Sequence, residues 1–206
     1  MKNISQKNFK QGSKILQKGG LIAFPTETVF GFGVVYDDEK AYKRLIEVKR
    51  RPPAQPFTLM CADPMDVEKY AYVDERARKL IKAFFPGQFT VILKAKENLP
   101  SWVVSKEGMV GIRVPDYKLV QDLIHEVGKP LLVPSANRHN EPPLTNSKDV
   151  CHAFNGEIDA VIEGKSVSNI PSTIVIIGED VKIIREGYIT KQDIFKVLEG
   201  KKWESY

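Results

Sequence analysis

The chain has 206 residues, 42% of them hydrophobic and 28% charged, with 31 Lys and Arg against 26 Asp and Glu for a formal net charge of +5. That length suits one sizeable α/β core, so residues 1–206 are read as a single domain, and no apolar run approaches the roughly 20 residues of a membrane span. The excess of positive charge suits phosphate-bearing partners, and equally an ordinary metabolic enzyme.

The first residues, MKNISQKNFKQGSK, lack an apolar core of signal-peptide length, which points to a soluble cytoplasmic protein. Leu21 to Phe24 form the first expected strand. It runs at once into Pro25, Thr26, Glu27 and Thr28, and then into Gly31 and Gly33, which are expected to let the backbone turn tightly. A helical segment ends near Val48 and meets KRRPP, where Pro52 and Pro53 stop the helix and leave Lys49, Arg50 and Arg51 at its mouth. Those cations either complement the helix dipole or meet an anion.

Residues 58–61 read as a short strand. DERARKLIKAFF then places Ala77, Leu80, Ile81 and Phe84 on one helical face behind an N-cap at Asp74. Strands are expected over 89–94 and 110–114. A helix with Val120, Leu123, Ile124 and Val127 inward follows, ended by Gly128. After a strand at 131–133, the runs TIVII and VKIIRE are joined only by GED, so part of the sheet is antiparallel. Thr190 with Asp193 forms a capping box for a last helix, and KKWESY is too short a tail to be a second domain. Alternating strands and helices give an α/β fold with a mixed sheet.

Polar motifs fall at strand ends: PTET after the first strand, PGQFT into the strand at 89, SAN after that at 131, and PST before that at 173. Small hydroxyl residues beside proline and glycine present amides and hydroxyls to an anionic ligand. Arg113 sits inside an apolar strand, where a charge needs solvent or a partner, and Arg185 repeats the situation unless its strand simply exposes it. Glu27 either binds a metal or caps a turn, the turn being favoured. His125 and His152 read as helix-surface residues, and Cys61 and Cys151 as small core residues, since they fit no metal or disulfide spacing. There is no GxSxG or HExxH, so the usual protein nucleophile is not evident, and no P-loop, so any nucleotide is held by something else.

In this order, PTETVFGFG, KRRP, PGQFT, GIRVP, PSAN, PST and REG resemble the YrdC family, the threonylcarbamoyl-AMP synthases also called TsaC. The resemblance spans Pro25 to Gly187 and implies an open, twisted mixed sheet with flanking helices around a large, concave, positively charged cavity. It also implies a nucleotidyltransferase reaction in which L-threonine, bicarbonate and ATP give L-threonylcarbamoyladenylate and pyrophosphate. Mg²⁺ is expected to come with the ATP, with no protein metal cage. The product serves threonylcarbamoyladenosine modification of tRNA through downstream transferase proteins, and tRNA or double-stranded RNA is a further partner.

Carried over by position, the resemblance gives Lys49 and Arg51 the nucleotide phosphates and the catalytic role. Thr28, Thr90, Arg113, Ser172 and Thr173 fall to the threonine side, with Arg113 opposite the substrate carboxylate. Ser135, Asn137 and Arg185 fall to the nucleotide. The chain departs from the pattern at Phe30, where Tyr is usual and a hydroxyl toward substrate is lost; at Phe32; at Gln88; and at His139 and Asn140, where Ser-Gly is usual. PFTLMC, Phe57 and Met60 included, is closer to a YciO-type branch. Two alternatives stand beside the synthase: an RNA-binding module using the Lys49–Arg51 cluster, and a nucleotide-binding regulatory domain without catalysis.

Overall fold

A computed structural model describes residues 1–52 and 56–199; Pro53, expected to help stop a helix, and the KKWESY tail lie outside the described residues. In chain order the elements are β1 (Lys2–Ile4), α1 (Phe9–Gln17), β2 (Ile22–Phe24), β3 (Gly31–Val35), α2 (Glu39–Lys49), β4 (Leu59–Met60), α3 (Val67–Tyr70), α4 (Glu75–Phe84), β5 (Phe89–Lys94), β6 (Met109–Arg113), α5 (Lys118–Val127), β7 (Leu131–Leu132), α6 (Ser147–Ala153), β8 (Ala160–Ile162), β9 (Thr173–Ile177), β10 (Val181–Arg185) and α7 (Lys191–Glu199). The strands form one sheet in the order β1-β8-β2-β3-β7-β4-β6-β5-β9-β10. Four neighbouring pairs are parallel, β1/β8, β8/β2, β4/β6 and β5/β9, and the others are antiparallel, so the sheet is mixed.

Local chemistry sets the helix ends. The Asp38 carboxylate accepts the Ala41 N–H at 2.9 Å and Asp74 accepts that of Ala77 at 2.8 Å, each answering an amide with no partner inside its helix. Thr190 and Asp193 cap α7 reciprocally, and Gly128 closes α5 with φ 78°, a conformation that costs glycine nothing.

The glycines after the first strand do something other than turn. Gly31 and Gly33 lie inside β3, antiparallel to β2, and neither has a positive φ. A Cβ on Gly33 would stand 2.5 Å from Phe24 Cε1, and one on Gly31 would stand 2.7 Å from Val133 Cγ1. Their missing side chains make room for a buried ring and a branched methyl.

Two apolar clusters lie on opposite faces of the sheet. One gathers Leu45, Leu59, Leu80, Val91, Ile112, Val175 and Ile194 beneath α2, α4 and α7. The other packs α1 and α5 through Leu16, Val120, Leu123 and Ile124 onto Ile22, Phe24 and Leu131, and ends at Met60 of β4 and its neighbour Ala62. Met60 pairs with Arg113, and from there the same face of β6, β5 and β9 is no longer under a helix. It carries Arg113, Gly111, Thr90, Ile92, Ile174 and Ile176, all of which line a cavity. At the edge, Ile183 pairs with Val175 but Arg185, rather than Ile184, pairs with Ile174, a bulge that brings the adjacent Ile184 and Arg185 both to the cavity.

Candidate functional site

The cavity has a volume of about 750 Å³. Eight of the ten residues singled out from sequence line it: Thr28, Arg51, Thr90, Arg113, Ser135, Asn137, Ser172 and Arg185. They come from seven segments between positions 28 and 185, brought together by the strand order. Among the described lining residues three are arginines and a single one, Glu107, is a carboxylate.

Arg113 is held on two sides. Its Nη2 donates to Glu27 Oε1 at 2.7 Å and to Thr28 Oγ1 at 3.0 Å, and its Nε donates to the Gly87 carbonyl at 3.3 Å. Glu27 Oε1 also accepts the Asp116 N–H at 3.1 Å. Both side chains are only 8% exposed. Glu27 therefore ties the PTET loop to the end of β6, a role that neither the metal nor the turn reading had given it. A buried pair is no more stabilising than well-packed apolar residues of the same volume, because desolvation offsets the attraction, so this pair is better understood as fixing the Arg113 guanidinium in the cavity wall. Thr28 is fixed as well, its hydroxyl 2.9 Å from that of Thr26.

A second guanidinium–hydroxyl chain crosses β9 and β5. Arg185 donates from Nε to the Ser172 carbonyl at 3.0 Å and from Nη2 to Ser172 Oγ at 3.3 Å, and Ser172 Oγ lies 2.9 Å from Thr90 Oγ1. Burial lowers the Arg185 pKa and the neighbouring Arg113 charge lowers it further. Two cations in mutual repulsion at one wall favour an anion between them. Thr173 faces away from this wall: its hydroxyl donates to the Ile189 carbonyl at 2.6 Å and accepts the Gly187 N–H at 2.8 Å, which clasps the REG segment to β9.

α2 ends through Arg50 at φ 50°, with the Arg51 N–H returning to the Ile46 carbonyl at 3.2 Å, and this turns Arg51 toward the cavity. Lys49 takes another course. It is 3% exposed and does not line the cavity; its Nζ donates to the Ser135 carbonyl at 2.7 Å and to Asn137 Oδ1 at 2.8 Å. The Ser135 hydroxyl donates to the same oxygen at 2.6 Å, while Asn137 Nδ2 donates to the carbonyls of Arg138 and Glu141 at 2.8 and 2.6 Å. Lys49 thus braces the SAN loop from behind. Asn140 in that loop has φ 66°, so this asparagine occupies the left-handed conformation that the usual glycine there suits.

Phe30 is fully buried in the larger core cluster and does not line the cavity, so a hydroxyl at that position would enter the core rather than reach a ligand. Sequence reasoning missed Glu27 as a partner for Arg113, and Phe57, which lines the cavity beside Arg51. The signal for the first was partial, since Arg113 in an apolar strand needs solvent or a partner, but nothing local points across 86 residues to Glu27. His125 and His152 are exposed on α5 and α6; Cys61 is buried and Cys151 is half-buried, its thiol against Asn3 Oδ1 at 3.2 Å. Among the described residues no three His, Cys, Asp or Glu side chains gather to hold a metal ion, and no helix is long and apolar enough to cross a membrane.

The family profile Sua5/YciO/YrdC, described as telomere recombination, matches residues 14–187. A threonylcarbamoyl-AMP synthase of Bacillus subtilis is 34% identical over 91% of this chain and 56% of its own length. Among solved structures, P. abyssi Sua5 complexed with L-threonine superposes with a TM-score of 0.89 at 30% identity, covering 96% of this chain and 60% of that one. E. coli YciO superposes with a TM-score of 0.84 at 28% identity, covering 91% of this chain and 95% of that one. This chain therefore spans a little over half of the two longer relatives and nearly all of YciO. With the family profile matching residues 14–187, and a relative of 34% identity covering 91% of it, the chain belongs to the Sua5/YciO/YrdC family.

Proposed function

We propose that the chain is an L-threonylcarbamoyladenylate synthase, a nucleotidyltransferase that forms threonylcarbamoyl-AMP and pyrophosphate from L-threonine, bicarbonate and ATP. The observation that carries the reading is the convergence of eight separately chosen residues on one cavity. In support, a relative that is 30% identical is described as complexed with L-threonine.

In this reading the threonine nitrogen takes up the carbon of bicarbonate with loss of water, and a carbamate oxygen attacks the α-phosphorus of ATP as pyrophosphate leaves. Such a displacement depends on alignment and on neutralising oxygen charge, which guanidiniums, hydroxyls and amides supply without a protein nucleophile. Thr28, Thr90, Arg113 and Ser172 form the amino-acid side, and Arg51, Ser135, Asn137 and Arg185 the nucleotide side. Lys49 and Thr173 act from behind the wall. Among the described lining residues Glu107 is the one carboxylate, a donor set that suits Mg²⁺ carried on phosphate oxygens and water rather than caged by protein. The product would pass to separate transferase proteins acting on tRNA.

The test is to incubate the purified chain with Mg·ATP, bicarbonate and L-threonine and to measure pyrophosphate. Threonine-dependent release is expected. A folded protein giving no release above the threonine-free control overturns the reading. The extent of the match to YciO and the PFTLMC stretch favour one second reading, a nucleotide-binding domain without this turnover; it predicts ATP binding with no threonine-dependent pyrophosphate.

A further inference from the structure

Arg51 lies just past α2, and its side chain is rich in rotamers. Its guanidinium carbon stands 5.0 Å from the centroid of the Phe57 ring. Phe57 meets Tyr42 edge to face, with centroids 6.0 Å apart and planes at 69°. Tyr42 stacks on Trp102 at 6.0 Å and 25°, and the Trp102 indole N–H donates to the Tyr36 carbonyl at 3.0 Å. Phe57 is 2% exposed, so this aromatic row, anchored on α2 and just beyond β3, leaves the ring no room to swing.

Phe57 and Arg51 line the cavity together. A guanidinium carbon held 5.0 Å from a ring that cannot move has fewer rotamers open to it, and a guanidinium whose N–H edges are directed suits paired phosphate oxygens. Burial lowers the Arg51 pKa, the mark of a cation partly stripped of water, which gains more from an anionic ligand than a hydrated one does. Orienting the side chain before the ligand arrives removes part of the ordering penalty of binding.

We propose that Phe57 is a positioning residue for Arg51, its ring setting the guanidinium in the orientation that receives the phosphates of the nucleotide. The identity of that nucleotide rests on the synthase reading; the cation–π contact does not. An aliphatic side chain of similar volume would fill the same space without offering a π face.

The experiment is calorimetric titration of the full chain with Mg·ATP and, separately, with inorganic pyrophosphate. Phe57→Leu is expected to weaken both by about 3- to 30-fold, the range for loss of one cation–π contact, while Phe57→Tyr stays within about twofold of wild type. The KM for ATP should rise by the same factor and the KM for threonine should not move. In an Arg51→Ala background, Phe57→Leu should bring no further loss. Unchanged affinity in Phe57→Leu, or an equal loss in both backgrounds, overturns the proposal. Should Phe57→Leu fail to fold, Phe57→Met provides the same comparison with a more adaptable filler. Phe57-dependent pyrophosphate binding in a chain that makes no threonylcarbamoyl-AMP would sink the synthase reading and leave the positioning role standing. A wild-type chain that binds neither anion overturns the role itself.

Discussion

At Lys49, burial and charge act together. Desolvation is the largest cause, the Arg51 charge adds to it and Glu141 opposes it, and the result is an ammonium pKa lowered from 10.5 to about 7. Between those values the unfolded chain holds a proton that the folded chain has released. Stability therefore rises with pH through that window, and below it, where both states are protonated, the gain is absent. Lys49→Met should flatten the rise, as read by urea unfolding of both proteins across about pH 6 to 10. A wild type whose stability is level over that range would contradict the assignment. None of this was legible in KRRP, because a four-carbon stem lets Nζ reach either the cavity or the SAN loop, and only the fold decides. Phe30 makes the same point from the other side, since the motif that contains it reaches the cavity through Thr28 while its own ring faces the core.

The strands and helices with strong local signals were readable. Asp74, Gly128 and the Thr190–Asp193 pair mark helix ends by side-chain chemistry that acts within four residues, and the GED connection fixes an antiparallel hairpin. β3 was not readable, because two glycines in five residues look like a turn until the Phe24 ring and Val133 are placed against them. β1 was not readable either, since Lys2 and Asn3 leave Ile4 as its one apolar residue. The β3 packing gives a test at this scale. Gly33→Ala would drive a methyl into the fully buried Phe24 ring and should cost about 1–3 kcal/mol in urea unfolding. Gly178→Ala, where nothing lies within 4 Å and φ is not positive, should change stability by less than about 0.5 kcal/mol. Equal effects at the two positions would show that backbone freedom, rather than space, is what the β3 glycine supplies.

For the whole molecule, chain order and spatial order part company. β4 lies between β7 and β6, and β5 between β6 and β9, so residues from 28 to 185 come to share one cavity that no local pattern could assemble. The seven motifs made the site residues recognisable one by one; the placement of α1 and α5, which cover one face only as far as β4 and its neighbour Ala62, explains why they meet in a hollow. A ligand filling it bridges segments that the chain connects only through the core. Mg·ATP at about 100 times its Kd should accordingly add about 2.7 kcal/mol to stability and raise the melting temperature by roughly 5–10 °C in a concentration-dependent way. A melting point indifferent to ATP would argue against nucleotide binding.

The bulge near the end of β10 sets which face Arg185 takes by a count of residues, before its hydrogen bonds to Ser172 fix where the guanidinium lies. Ile183 packs against the cluster beneath α4 and α7, and in an unbroken ladder Arg185 would follow it there. Deleting Ile184 would let that edge run on unbroken with Arg185 still opposite Ile174, whereas pairing all of its residues without the bulge would put Ile184 opposite Ile174 and Arg185 opposite Thr173, on the face turned from the cavity. The shape of the sheet and its chemistry draw on nearly the same residues elsewhere in the molecule. At this edge they are written separately: the extra residue that breaks the ladder keeps the cation in the cavity, and a copy of the chain paired without the bulge would have a more regular sheet and one guanidinium fewer in its hollow.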